Sequence, residues 1–212
     1  MFDSRAEAGE RLAKALSDHA GTDAVVLGIP RGGVIVAEVV ARQLGLALDV
    51  VVPRKIGAPG NPELGLGAIA PGVRVLDTRI LELLGVSDDY LEREIAAQEA
   101  EIDRRLHAYR EGRPPVDVRG KVVIVIDDGV ATGGTAVAAV RWAKAQGASR
   151  VVLAVPVAPG PSIPRLGHEA DEVVVLAAPE PFYAVGEWYR SFEQTSDAEV
   201  VAALARGAAS RA

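Results

Sequence analysis

Cysteine is absent from this chain of 212 residues, which excludes disulfide bonds and thiolate chemistry. The only three histidines, His19, His107 and His168, lie far apart in the sequence without the spacing of metal ligands, which argues against a structural zinc site. No apolar run approaches the roughly 18 residues that a membrane-spanning helix needs, and the N-terminus lacks a signal-peptide core. We therefore expect a soluble, cytoplasmic protein with no membrane partner.

Basic residues are in the minority, with 23 Lys and Arg against 29 Asp and Glu, which gives a formal net charge of -6. This balance argues against binding to nucleic acids or to anionic membranes, and the sequence shows no helix-turn-helix extension. Hydrophobic residues make up 49% and charged residues 25%, a composition typical of globular chains. We predict a globular protein that has no nucleic-acid partner.

Short apolar runs rich in Val, Ile and Leu alternate with helical segments along the chain. Parallel strands that helices cover on both faces have this continuous apolar character. The predicted strands are 24–29, 48–53, 122–126, 150–157 and 171–179. The pattern predicts an α/β fold with a central, mostly parallel sheet flanked by helices.

One domain is predicted for residues 1–212, because neither side of the only linker candidate, Pro114–Pro115, carries a self-sufficient set of strands. An excursion from the main sheet is predicted at roughly 54–115. It contains a loop at Arg54–Glu63, then a hairpin, then a charged helix at Ser87–Arg110. We interpret that helix as a solvated face or a dimer contact, and we expect a homodimer.

The stretch KVVIVIDDGVATGGTA, residues 121–136, places two adjacent carboxylates, Asp127 and Asp128, directly after a buried apolar strand. In an open parallel sheet, ligands bind where the carboxyl ends of strands turn into helices. The glycines let the next loop fold tightly so that backbone N–H groups converge, and the following helix offers its positive N-terminus. A phosphate fits this loop, whose candidate ligands are Ala131, Thr132, Gly133, Gly134 and Thr135.

The two carboxylates cannot bind that phosphate directly, because like charges repel. They must hold sugar hydroxyls, Mg²⁺ or both. A ligand with a phosphate at one end and a diol at the other is a ribose 5-phosphate. A Walker-type loop is excluded because no Gly-Lys-Ser/Thr follows. A phospho-accepting receiver domain would carry its acids after the first strand of the chain. A solvated turn that binds no ligand would require the acid pair, the glycines and both threonines to occur together by chance.

The motif VIVIDDGVATGGT resembles the phosphoribosyl-diphosphate signature of type I phosphoribosyltransferases over its whole length, without a gap. The resemblance implies that Asp127 and Asp128 grip the ribose hydroxyls, and Mg²⁺ directly or through those hydroxyls or water. It implies that residues 131–135 hold the 5-phosphate of 5-phosphoribosyl 1-diphosphate. The implied reaction is displacement of diphosphate from C1 of the ribose by a nitrogen nucleophile.

A second anion site is predicted at GIPRGGV, residues 28–34. Arg31 is suited to phosphate oxygens, and Gly32 and Gly33 open a helix N-terminus. The segment resembles the diphosphate loop of xanthine–guanine members of the family. In such loops the peptide bond before the basic residue is often cis, and here that bond is Pro30–Arg31.

Two further basic residues, Arg54 and Lys55, would correspond to the family's mobile loop. They would close over the departing diphosphate, and Arg31 together with Lys55 would neutralise its charge. A solvated surface loop is the alternative interpretation.

Aromatic residues are scarce at 4%, yet they cluster in PEPFYAVGEWYRSFEQTSD, residues 179–197. This segment resembles the C-terminal hood of purine-type members, and we place a small hood at roughly 156–195. Phe182, Trp188 and Tyr189 are candidates for stacking on a base, and a packed satellite core is the alternative.

One position departs from the family's pattern. Hypoxanthine- and xanthine-type members carry an aspartate immediately before the Thr-Gly of the phosphate loop, facing the purine N7, where this chain has Ala131. The acceptor therefore does not follow from the resemblance. Two hypotheses remain, an active phosphoribosyltransferase whose expected acceptor is a nucleobase, and a non-catalytic sensor that kept the phosphoribosyl-diphosphate pocket.

Overall fold

The computed structural model of the protein describes residues 1–209, so the last three residues of the predicted domain lie outside this range. Its strands are β1 (Val25–Gly28), β2 (Ala47–Val50), β3 (Arg54–Ala58), β4 (Asn61–Ala70), β5 (Val73–Leu76), β6 (Val122–Ile126), β7 (Arg150–Val157) and β8 (Glu172–Ala177). Its helices are α1 (Arg5–Ala15), α2 (Gly32–Leu44), α3 (Thr78–Leu84), α4 (Asp88–Arg110), α5 (Gly134–Ala145), α6 (Ile163–Glu169) and α7 (Asp197–Ala209). In the part of the chain that the structure describes, no helix is both long and apolar enough to cross a membrane.

Five strands form the main sheet in the spatial order β2-β1-β6-β7-β8, and every neighbouring pair is parallel. Side chains alternate between two core clusters, because successive residues of a strand point to opposite faces. One cluster packs the sheet against α1, α2 and α7, and the other packs it against α5 and α6. The predicted single α/β domain with a parallel sheet between helices is confirmed.

The predicted loop at Arg54–Glu63 is wrong. These residues form β3 and the start of β4, which pair antiparallel and continue into β5 as a three-stranded sheet. Ile56 and Ala58 of β3 are buried in the same core cluster as Ile95 and Ile102 of α4. That burial holds the segment extended although its glycines and prolines favour turns.

The charged helix predicted at Ser87–Arg110 is present as α4, and the side chain of Ser87 accepts a hydrogen bond from the N–H of Tyr90. The helix is not solvated on every side. Ile95, Ile102 and Tyr109 recur every seven residues and are buried, so this one stripe fixes the helix to the core while its charged faces meet water.

The predicted hood at 156–195 is too long. Residues 163–177 within it form α6 and β8, which belong to the layers of the main sheet, so the hood prediction is corrected to the segment between β8 and α7. In that segment Val185–Trp188 forms a single 3₁₀ turn.

Candidate functional site

The carboxyl ends of β1 and β6 meet where the order of the strands reverses. β1 leads through α2 to β2 on one side, and β6 leads through α5 to β7 on the other. Gly28 pairs with Ile126 in register, and the N–H of Ile29 donates to the Ile126 carbonyl at 2.8 Å, so the two strands end at the same level. Ligands of open α/β sheets bind in the crevice at such a point. The two predicted anion sites therefore open onto one crevice.

The loops that follow β1 and β6 touch, and glycine makes their approach possible. A Cβ atom on Gly33 would lie 2.7 Å from Cα of Asp127 and 2.8 Å from the carbonyl oxygen of Ile126. A Cβ atom on Gly32 would overlap Oδ2 of Asp128. The structure thus brings the PRGG segment directly against the acid pair, and the Pro30–Arg31 peptide bond is cis as expected.

Two helices begin at this crevice without a side-chain cap. α2 starts after Arg31 and α5 starts after Gly133, and neither residue has a side chain that can accept a hydrogen bond from the first turn of its helix. Gly133 has φ +80°, a left-handed conformation that favours glycine and lets the loop enter the helix. The first N–H groups of an α-helix have no intrahelical partner and carry partial positive charge. The crevice is therefore suited to a ligand with two anionic groups.

Asp127 and Asp128 have different partners. Oδ1 of Asp127 accepts a hydrogen bond from the N–H of Asp128 at 2.9 Å. Burial raises the pKa of Asp127 well above its ordinary value, and the charge of Asp128 adds to the effect. Asp128 forms an ion pair with Arg5, whose Nε donates to Oδ2 at 2.7 Å. The pair can accept hydrogen bonds from hydroxyl groups, and a fixed cation offsets part of its charge.

Arg5 is a site residue that sequence patterns did not indicate. It is the first residue of α1, and the N-cap Ser4 accepts a hydrogen bond from the N–H of Glu7 at 3.3 Å. This capping pattern predicts where the helix begins, but not that Arg5 reaches an aspartate 123 residues away. No local signal could have found it.

The predicted phosphate loop, residues 131–135, is braced by the segment around α6. Arg165 donates to the carbonyl oxygen of Thr132, and Oγ of Ser162 donates to that of Ala131 at 3.4 Å. Ala131 and Thr132 are exposed, whereas Gly133 is buried. Arg165 is a second residue that the sequence patterns missed, and it places a cation beside the loop.

The predicted cationic residues make contacts away from the acid pair. Arg31 lies 3.9 Å from Oδ1 of Asp197 in α7. Nε of Arg54 donates to Oε1 of Gln98 at 2.8 Å, and burial lowers the pKa of Arg54, with the charge of a neighbouring arginine adding to the effect. Lys55 is exposed on β3. The roles of these three residues toward diphosphate stay predictions.

The hood aromatics divide into two kinds. The rings of Phe182 and Trp188 are stacked, with centroids 6.5 Å apart and planes 14° from parallel. Tyr189 is 5% exposed, and its ring lies 5.4 Å from that of Phe2 and 5.0 Å from that of Phe192. A ring enclosed in this way belongs to a satellite core rather than to a stacking surface.

The hydroxyl of Tyr189 contacts the backbone of the acid pair. It donates to the carbonyl oxygen of Asp128 at 2.5 Å. Burial and then the charge of Asp128 raise the pKa of this hydroxyl, so it stays protonated as a donor. Tyr189 therefore supports the backbone of Asp128, and we do not place it in the base site.

A magnesium ion fits this site only if a ligand supplies most of its oxygens. In residues 1–209, no group of three or more His, Cys, Asp or Glu side chains could hold a metal ion. Oδ1 of Asp127 and Oδ2 of Asp128 already accept hydrogen bonds from protein donors. Mg²⁺ is commonly bound through one or two carboxylates together with substrate phosphates and water. The acid pair matches that smaller share of the coordination.

Comparison with known proteins shows which family model the chain matches. The model of the phosphoribosyl transferase domain matches residues 3–177, which include both predicted anion sites and the acid pair. Relatives from the CDC 1551 and H37Rv strains of Mycobacterium tuberculosis, provisionally named phosphoribosyl transferases, are 48% identical over 210 residues. These alignments cover 97% of this chain and 47% of each relative, so the chain spans about half the length of the curated relatives it matches.

A solved structure is similar over nearly the whole chain. The crystal structure of TT1426 from Thermus thermophilus has 46% sequence identity and a TM-score of 0.81. The match covers 96% of this chain and 97% of that chain. The architecture described above, including the three-stranded sheet and the hood, therefore lies within a region shared with that protein.

Proposed function

Because this chain belongs to the phosphoribosyltransferase family, we propose that it binds 5-phosphoribosyl 1-diphosphate and transfers the phosphoribosyl group to a nitrogen of a base. The observation that carries the proposal is the meeting of two uncapped helix N-termini at one acid pair. Two anionic groups separated by a diol are what such a crevice would recognise. The substrate has this pattern, with a phosphate, a ribose diol and a diphosphate in sequence.

The 5-phosphate would lie in the loop of residues 131–135, at the N-terminus of α5. Backbone N–H groups and the hydroxyls of Thr132 and Thr135 would donate to its oxygens, and the helix dipole would favour its charge. The contact from Arg165 to the Thr132 carbonyl supports a loop that is held in shape before the ligand arrives. The loop would then lose little conformational entropy when the phosphate binds.

The diphosphate would lie at the N-terminus of α2, at Gly32 and Gly33. Arg31 is the adjacent cation, and its 3.9 Å contact with the half-exposed Asp197 is a weak one that a diphosphate could displace. Lys55 and Arg54 remain candidate cations for the leaving group, although both lie on the strand β3 and not on a loop. Asp127 and Asp128 would hold magnesium together with oxygens of the substrate, and the ion would supply charge neutralisation at the leaving diphosphate.

The reaction would be a displacement at C1 of the ribose. The bond from C1 to the diphosphate oxygen breaks, a bond from the base nitrogen to C1 forms, and the nitrogen loses its proton to solvent or to the released diphosphate. Positive charge develops on the ribose ring as the first bond breaks. Asp127 and Asp128, holding the ring hydroxyls, would stabilise that charge electrostatically, and orientation by the two anion sites would supply much of the remaining acceleration.

The acceptor is proposed to be a nucleobase or a related flat ring. The stacked rings of Phe182 and Trp188 support an aromatic surface in the hood. Ala131, exposed at the start of the predicted phosphate loop, offers no carboxylate to a purine N7. We therefore expect a base whose recognition does not depend on that carboxylate.

The test is consumption of 5-phosphoribosyl 1-diphosphate with Mg²⁺ in the presence of adenine, guanine, xanthine, hypoxanthine, uracil or orotate. Turnover with one base supports the transferase and identifies its acceptor class. Binding of 5-phosphoribosyl 1-diphosphate without turnover on any base would favour the sensor, whose motivation is Ala131. Absence of binding would overturn both.

We further propose that the protein works as a homodimer. Leu83 and Leu84 of α3 are 83% and 44% exposed, and exposed leucines that lie together support self-association. Sedimentation velocity would detect the dimer, and a monomer at micromolar concentration would contradict it.

A further inference from the structure

Arg5 is enclosed between the acid pair and the C-terminal hood. Its side chain is 12% exposed, and Nε donates to Oδ2 of Asp128 at 2.7 Å. Nη1 donates to the carbonyl oxygen of Glu193 at 2.8 Å, and the guanidinium lies 4.0 Å from the ring centroid of Phe192. Because one side chain meets a carboxylate, a carbonyl and an aromatic face, its orientation is fixed.

The turn between β1 and α2 packs closely against the other side of the ion pair between Arg5 and Asp128. A Cβ atom on Gly32 would overlap Oδ2 of Asp128 and lie 2.6 Å from Nε of Arg5. The ion pair is therefore packed against the backbone of the predicted diphosphate loop. Any movement of Arg5 or Asp128 would change the place where the diol and the diphosphate meet.

The backbone of Asp128 is held by the same part of the molecule. The hydroxyl of Tyr189 donates to the Asp128 carbonyl, and Tyr189 lies next to Trp188, whose own carbonyl accepts from the N–H of Phe2 at 2.7 Å. The N–H of Arg190 donates back to the Phe2 carbonyl at 2.8 Å. The chain start and the hood thus form one support behind Asp128.

We infer that Arg5 is a positioning residue for the ribose site. It fixes the Asp128 carboxylate so that its remaining lone pairs accept from a sugar hydroxyl, and it offsets one of two adjacent negative charges that would otherwise repel each other. This role rests on the proposed function. It assigns Arg5 to the diol, not to either phosphate, because Nε and Nη1 donate to Asp128 and Glu193.

The test compares two ligands on four proteins. Calorimetry measures the affinity for ribose 5-phosphate and for inorganic phosphate of the wild type, Arg5→Met, Arg5→Lys and Arg11→Met. Arg11 is the matched control, because it lies on the same helix, carries the same charge and stacks over the ring of Phe2 without reaching the acid pair. Circular dichroism establishes that each variant is folded.

Arg5→Met is expected to bind ribose 5-phosphate about tenfold or more weakly, because an Asp128 carboxylate that is no longer held in place loses its hydrogen bond to a sugar hydroxyl. Its affinity for inorganic phosphate should be unchanged, because the hydrogen bonds recorded for Arg5 go to Asp128 and Glu193 and not to either predicted phosphate loop. Arg5→Lys should recover part of the loss by restoring the charge. Arg11→Met should match the wild type with both ligands.

Unchanged ribose 5-phosphate affinity in Arg5→Met would overturn the inference, and so would a parallel loss of phosphate affinity, which would indicate general distortion. Should Arg5→Met fail to fold, Arg5→Lys decides. Weaker binding of ribose 5-phosphate alone supports the role, and wild-type binding of both ligands contradicts it. A wild type that does not bind ribose 5-phosphate would overturn the proposed function itself, a result distinct from any of these.

Discussion

Replacing Gly33 by alanine tests whether the two anion sites and the acid pair form one unit. The new Cβ atom would lie 2.7 Å from Cα of Asp127 and 2.8 Å from the Ile126 carbonyl oxygen. Both neighbours are backbone atoms, so no flexible side chain can move aside. The loop must shift from 2.7 Å to at least the 3.4 Å of an ordinary contact, a movement of about 0.7 Å.

The expected cost has a stability part and a binding part. Overpacking of this kind costs about 1–3 kcal/mol, and alanine returns up to about 1 kcal/mol through its better helix propensity. For a chain of this length each lost kcal/mol lowers Tm by about 2–4 °C. The displacement of α2 from the acid pair should weaken ribose 5-phosphate binding by about tenfold, since misplacements near 1 Å are costly in such sites.

Gly167 of α6 provides the matched control, because a Cβ atom there would meet nothing within 4 Å among the described residues. Gly167→Ala should leave ligand affinity unchanged and raise stability slightly. Differential scanning fluorimetry and calorimetry with ribose 5-phosphate measure both quantities. If Gly33→Ala keeps wild-type affinity and Tm, the two loops do not form the close contact on which the site depends.

Two further predictions concern the fold around the site. Arg110→Met should lower the free energy of unfolding by about 3 kcal/mol, because it leaves the buried Asp49 carboxylate without its ion-pair partner. Arg104→Met on the same helix removes an exposed ion pair and should change the urea midpoint little, so equal losses would contradict the first prediction. Burial, with a hydrogen bond to Asp197, raises the pKa of Tyr109 to about 12 from 10.0, and a raised pKa favours the protonated folded form. The free energy of unfolding should therefore be constant with respect to this group below pH 10 and should fall between pH 10 and about 12. Tyr109→Phe should make that fall less steep. Identical pH profiles for the wild type and the variant would contradict a raised pKa of Tyr109.

The acid pair and its loop could be predicted from sequence because their chemistry is written in one continuous segment. A buried strand, two carboxylates and a glycine-rich loop follow one another within 121–136, and strand order alone decides where the strand ends meet. The cis peptide bond at Pro30–Arg31 was implied by the resemblance of GIPRGGV to the family's diphosphate loop. Features that depend on one continuous segment could therefore be predicted from the sequence.

Features that depend on packing between distant segments could not be predicted from the sequence. The glycines and prolines of residues 54–63 predict a loop, but burial of Ile56 and Ala58 beside α4 outweighs that preference and gives the strand β3. Arg5 could not be found because its partner Asp128 is 123 residues away. The clustering of aromatic residues predicts that Tyr189 could stack on a base, but its ring packs against Phe2, which is distant in sequence.

The most direct measurement is the affinity of the wild type for ribose 5-phosphate and for 2,3-dideoxyribose 5-phosphate, repeated on a double variant, Asp127→Asn with Asp128→Asn. If the carboxylates hold the diol, the wild type should prefer ribose 5-phosphate by about 100-fold, since two hydrogen bonds to charged groups are lost with the hydroxyls. The double variant should lose most of that preference while it keeps its affinity for inorganic phosphate. Equal wild-type affinity for the two sugars would show that the aspartates do not hold the ribose.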